Sequence, residues 1–148
     1  GFVLDNKIEG WTYGVEGWAH YRVTERWRLS AGTVLLKQQL RLKPDSMDAS
    51  GVDALGNDPS HQWKLRSTFE PAPRHELDVS VRHIGALPDP AVPAYTAVDA
   101  RWGWHVQRNV EVSLTLNNLL DARHPEFGAF PTRSEFERSV FLKVLWRQ

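Results

Sequence analysis

The side chains able to do chemistry here are six histidines and a scatter of carboxylates. His20, His61, His75, His83, His105 and His124 include no pair at the helical i, i+4 spacing that turns two imidazoles onto one metal. In a strand only i, i+2 neighbours share a face, and no two histidines have that spacing either. One short run does crowd an imidazole, a carboxylate and an aromatic ring together: His124-Pro125-Glu126-Phe127. His124, Glu126 and Phe127 are therefore the candidates for touching a bound ligand. Asp45, Asp48, Asp53 and Asp58 crowd a second stretch, but their spacing is not that of an EF-hand, and they read as a polar surface loop. The sequence holds no Gly-x-Ser-x-Gly, no phosphate-binding loop and no dinucleotide fingerprint. Without cysteine, disulfide scaffolds and thiolate metal sites are excluded. The expectation is a protein that is not an enzyme, with no catalytic residue, resident metal or cofactor.

The elements that position these groups are strands. From Val110, the residues Val110, Val112, Leu114 and Leu116 face one way and Glu111, Ser113, Thr115 and Asn117 the other. Thr96, Val98, Ala100, Trp102, Trp104 and Val106 alternate with Tyr95, Ala97, Asp99, Arg101, Gly103 and His105. The same period of two runs through Leu77–Val81, Trp63–Phe69, Trp11–Val23 and Val140–Trp146, and no segment sustains a helical period. Short turns are expected at Thr24-Glu25-Arg26, Pro71-Ala72-Pro73-Arg74 and Gln107-Arg108-Asn109, where proline, asparagine and polar residues supply turn chemistry. Longer connections run from Arg41 to Ser60, Leu87 to Ala94 and Asp121 to Glu137. Short and long connections thus alternate along an antiparallel up-and-down meander of about seven strands, several of about ten to thirteen residues. In such a sheet every tight turn lies on one rim and every long loop on the other.

Composition narrows the class further. The 148 residues carry 18 Lys+Arg against 18 Asp+Glu, so there is no basic stripe of the kind a nucleic-acid binder shows. The longest apolar runs, such as Val34-Leu35-Leu36, fall far short of the roughly 18 residues a membrane helix needs. Yet seven tryptophans are present. Trp11, Trp27, Trp63, Trp102, Trp104 and Trp146 fall mostly on the apolar face, several near strand ends. Strands of that length, one apolar face and two unlike rims describe the wall of an outer-membrane β-barrel, whose aromatic girdles sit at the headgroups. The alternative is a soluble β-sheet module with a tryptophan-rich face for a saccharide or a lipid. Period two alone does not say which face meets water.

Four stretches also resemble a known family. Val92-Pro93-Ala94-Tyr95-Thr96-Ala97-Val98-Asp99-Ala100-Arg101-Trp102-Gly103-Trp104 resembles the antepenultimate strand of TonB-dependent outer-membrane receptors, with a Pro-x-Tyr entry, an inward Asp and an aromatic exit. Asn117-Asn118-Leu119-Leu120-Asp121 is similar to the motif that ends their penultimate strand. The run from Arg138 to Arg147 resembles their terminal strand, and Tyr13-Gly14-Val15-Glu16-Gly17 an earlier one.

The resemblance implies a bacterial outer-membrane transport receptor of the Gram-negative type, taking up a scarce ligand such as a ferric siderophore. It also implies a barrel of about 22 strands enclosing a plug. On this reading residues 1–148 are the C-terminal portion of the barrel, without plug or TonB box, and are not transport-competent alone. The short turns become periplasmic and the long loops extracellular, and Glu16, Asp99, Arg101 and Glu111 face the lumen, to pair with one another or with the plug. Asn118 and Asp121 bracket the point where alternation fails and end their strand through hydrogen bonds to nearby backbone. The partners implied are outer-membrane lipid, a TonB-type coupler acting through the plug, a small-molecule ligand and further strands on both edges, but no nucleic acid. Two departures stand out: Phe141 occupies a place often held by glycine, and Arg147-Gln148 follow Trp146 where the family commonly ends on an aromatic.

Overall fold

The computed structural model describes residues 6–47, 51–52 and 57–147. Asp48 and Asp53 of the acidic stretch lie outside the described residues. The strands are β1 (Ile8–Thr24), β2 (Trp27–Leu42), β3 (His61–Phe69), β4 (His75–Ile84), β5 (Tyr95–Gln107), β6 (Val110–Asn117), β7 (Arg123–Pro125), β8 (Glu135–Glu137) and β9 (Ser139–Trp146). Seven of them form one antiparallel sheet in the order β1-β2-β3-β4-β5-β6-β9, so the meander is unbroken; β7 and β8 form a separate two-stranded hairpin. The all-β expectation is met, and the short and long connections alternate as the turn residues predict. β1 and β2 run to 17 and 16 residues, longer than their sequence pattern suggests. Residues Val34, Leu36, Leu40 and Leu42 are apolar on the face that is polar elsewhere, which hides the alternation of β2.

Turn chemistry closes the short rim. Thr24 Oγ1 accepts the Arg26 amide at 3.2 Å, and Arg74 takes a left-handed φ of 68° as the chain enters β4. At the opposite rim Lys7 pairs with the exposed Asp45. That ammonium holds the Asp45 carboxyl below its ordinary range, so the pair persists above acid pH and is lost as pH falls through the lowered value.

Apart from the irregularities at Val23 and Val106, the cross-strand register sorts the side chains of the sheet onto two faces. One face carries Trp11, Tyr13, Val15, Leu65, Val79, Val81, Leu114, Leu142 and their neighbours, and it is uncovered. Trp11 is 79 % exposed, and among the described residues only Val92 and Ala97 are buried apolar residues. A sheet in water would cover such a surface with a second layer; here the apolar face has no protein against it among the described elements. Its aromatic residues gather at the two ends. Tyr21, Trp27, Phe69, Trp104 and Trp146 lie towards the short turns, and Trp11, Tyr13 and Trp63 towards the long loops. Histidines complete both belts: His75 stacks on Trp102 and Trp104 with ring centroids 5.6 and 5.8 Å apart, and His83 stacks on Trp63 at 5.7 Å.

Candidate functional site

The opposite face is polar, and its charges are paired across strands rather than scattered. Alternation along β4 puts Glu76, Asp78, Ser80 and Arg82 on this face, and alternation along β5 adds Tyr95, Asp99 and Arg101. Because Asp78 stands opposite both Thr68 and Arg101, one carboxylate meets donors from β3 and β5. Arg66 donates to Asp78 Oδ1 from Nη2 at 2.8 Å, and Thr68 Oγ1 donates to the same oxygen at 2.7 Å. Arg101 donates from Nη1 to Glu76 at 2.9 Å and to Asp78 Oδ2 at 3.5 Å, and from Nη2 to Glu111. Glycine at 103 makes room for this: a Cβ there would stand 3.0 Å from both Arg101 terminal nitrogens.

Nearer the long loops a second cluster joins wall to loop. The connection between β6 and β9, which reads in sequence as a plain loop, folds back over the polar face as the β7–β8 hairpin. The His124 ring stacks on Tyr95 at 4.3 Å and lies 6.4 Å from Phe136. His124 Nε2 is 3.1 Å from Glu126 Oε1, and the same Glu126 oxygen accepts from Arg82, which also reaches Asp99 at 3.5 Å. Asp99 Oδ1 in turn accepts the Asn118 amide at 2.9 Å.

The lumen, strand-end and ligand candidates read from sequence can each be placed. Glu16, Asp99, Arg101 and Glu111 share the polar face by register; Asp99, Arg101 and Glu111 are paired, and Glu16 has no partner among the described residues. Asn118 follows the last residue of β6 with a left-handed φ of 55°, a conformation asparagine tolerates, and its Nδ2 donates to the Phe136 carbonyl at 3.1 Å. Asp121 makes no such bond; it lines an open cavity of about 370 Å³ with Tyr95, Thr96, Leu120 and His124. Of the three ligand candidates, His124 is buried, Glu126 is held by Arg82, and Phe127 alone is exposed. No group of three or more metal-ligating side chains occurs among the described residues. Sequence reasoning missed Arg66, Glu76, Asp78 and Arg82 as site residues. Their polar-face parity is visible in the alternation, but their convergence depends on register across loops whose lengths do not encode it.

The hairpin attachment is testable. Glu126→Gln removes the charge that Arg82 and His124 share, and limited trypsin digestion of the folded protein should then cut at Arg123 and Arg133 several-fold faster than in wild type, with sites on the strands unchanged. Unchanged cleavage at both arginines would show that the ring stack and the Asn118–Phe136 hydrogen bond hold the hairpin without the Glu126 charge.

No family model matches the chain. Among curated proteins it is 25 % identical over 135 residues to the probable TonB-dependent siderophore receptor PiuA of Acinetobacter baumannii, covering 82 % of this chain and 18 % of that protein. It is 27 % identical over 124 residues to the catecholate siderophore receptor Fiu of Escherichia coli K12, covering 78 % of this chain and 16 % of that protein. Among solved structures, that of PiuA superimposes over 94 % of this chain and 21 % of its own, with a TM-score of 0.64 and 23 % identity. In sequence and in fold the chain is similar to TonB-dependent outer-membrane receptors over most of its length. The closed form of Fiu superimposes comparably, over 93 % of this chain and 20 % of its own, with a TM-score of 0.63 and 22 % identity. The chain therefore spans about a fifth of the length of the receptors it matches. In an outer-membrane β-barrel the apolar face of the wall is the side that meets lipid, and an uncovered apolar face is what such a wall presents.

Proposed function

We propose that this chain is the C-terminal portion of the barrel wall of a siderophore-uptake receptor, with its polar face lining the lumen and its long loops outside the cell. The observation carrying this reading is the ordered two-faced meander, in which every long loop shares one rim and one of those loops folds back across the polar face. Both similar receptors are named for siderophores, which supports an iron-chelate ligand. On this reading residues 1–148 do not transport alone. Uptake requires a plug inside the barrel and a TonB-type coupler acting on it, and β1 and β9 pair with the remaining strands, since a bare edge invites pairing.

Two measurements test the reading. The isolated chain should aggregate in buffer and recover a β-sheet spectrum and resolved tryptophan emission in detergent micelles; a stable monomer in plain buffer would support the soluble tryptophan-rich module instead. The full-length receptor carrying this chain should restore uptake of radiolabelled iron as a ferric tris-catecholate complex in a receptor-deficient strain, and deleting the coupler should abolish it. Uptake that persists without the coupler would reject the transport assignment.

A further inference from the structure

Trp18 is the tryptophan that the outward belts do not absorb. The register places every other tryptophan on the lipid-facing side, whereas Trp18 stands on the polar face and is 73 % exposed. A single exposed indole is ordinary on a protein surface; what singles this one out is the row in which it stands. Across the sheet, Cα partners set Trp18, Gly32, Lys64 and Arg82 in one row from β1 to β4. Gly32 leaves a slot between the indole and Lys64. A Cβ at Gly32 would meet nothing closer than the Gly17 carbonyl oxygen, at 3.8 Å, and its φ is not left-handed. The pairing of β1 with β2 is also regular there, its one register shift lying between Arg22 and Thr24. Crowding, backbone conformation and a bulge therefore all fail to explain this glycine. A strand glycine that none of them explains often marks a place where a ligand or another backbone approaches closely.

The charges around the slot choose between ligands. Arg82 is occupied by Asp99 and Glu126, but Lys64 has no ion-pair or hydrogen-bond partner among the described residues. Glu16 also lines the cavity of about 230 Å³ that holds the slot, from the next row, opposite Val34. A ring over Gly32 would thus have an indole face on one side and a free ammonium on the other. We infer that Trp18, Gly32 and Lys64 form a binding site on the lumenal wall for a planar, anionic aromatic ring of the catecholate type. The ring lies in the slot over Gly32 and stacks on the indole, and its ionised oxygens point to Lys64. The choice of a catecholate rests on the siderophore reading above; the shape and charge of the slot do not.

The probe is ferric tris-catecholate titrated into the full-length receptor in detergent, followed by quenching of tryptophan emission and by isothermal titration. Trp18→Ala and Gly32→Val should each raise Kd roughly tenfold, while Trp18→Phe, which keeps a flat ring, stays within about threefold of wild type. Lys64→Gln should raise Kd several-fold and flatten its dependence on salt, with Lys64→Arg recovering most of the loss. Folding of each variant is checked by its heat-dependent shift in gel mobility. Binding by Trp18→Ala and Gly32→Val within about twofold of wild type overturns the site while leaving the siderophore reading intact. The site is equally overturned if these variants lose stability at unchanged Kd, because the slot then holds another segment of the receptor. If the wild-type receptor binds no ferric tris-catecholate at all, the reading of function and the site fall together.

Discussion

Val79→Lys is expected to destabilise the folded receptor by about 2–4 kcal/mol, and Ser80→Lys, one residue along the same strand, by less than about 1 kcal/mol. Val79 lies on the outward face of β4, midway between His75 and His83, which mark the two aromatic belts. Its cross-strand neighbours are Ser67 and Ala100, neither of which can take up a charge. An ammonium there must be desolvated near the middle of the hydrocarbon or snorkel past several residues to reach water. Ser80 points the other way, between Arg66 and Asp99, so a lysine at that position gains a carboxylate and keeps its water. Unfolding in urea from lipid vesicles, followed by tryptophan emission, measures both changes. The contrast is sharp because a soluble sheet inverts it: with the tryptophan face in water, Val79→Lys is harmless. Equal tolerance at the two positions would reject the assignment of faces.

The fold was legible because β-barrel walls write their two solvents into alternate residues. Val110–Asn117 and Tyr95–Gln107 alternate cleanly, and the turn residues Thr24–Arg26, Pro71–Arg74 and Gln107–Asn109 fall where the tight turns form. β2 was less legible, since Val34, Leu36, Leu40 and Leu42 make both of its faces apolar in part, and only the pairing with β1 fixes its parity. The site was legible by face but not by contact. Asp99, Arg101 and Glu111 could be placed on the polar side from parity alone. That Arg101 bridges to Glu76, Asp78 and Glu111 needs the register across the turn at 108–109 and the loop at 85–94. The loop between β6 and β9 was the least legible. His124-Pro125-Glu126 has the chemistry of a ligand site, but the ring of Tyr95 and the charge of Arg82, the latter 44 residues from Glu126 in sequence, turn it into an anchor.

The charge cluster on the polar face gives the second large effect. Arg101→Met is expected to cost about 2–3 kcal/mol in the same urea assay, below the 3–5 kcal/mol typical of roughly fully buried pairs because the guanidinium is partly solvated. Removing it leaves Glu76, Asp78 and Glu111 facing one another with only Arg66 and Thr68 as donors, both to Asp78. Arg101→Lys should recover less than half of the loss, since one ammonium does not reproduce a planar fork that serves three carboxylates. Gly103→Val tests the same geometry from the backbone side. Its branched side chain would occupy the place where the guanidinium lies, with the first carbon 3.0 Å from both terminal nitrogens, so it should behave as a weaker Arg101 deletion. The decisive comparison is a double-mutant cycle. If repulsion among the orphaned carboxylates dominates, Glu111→Gln should cost stability in wild type yet restore it in the Arg101→Met background, giving a coupling of about 1–2 kcal/mol. Strict additivity would mean that water entering from the lumen already screens the cluster, and that these ion pairs orient the wall without holding it together.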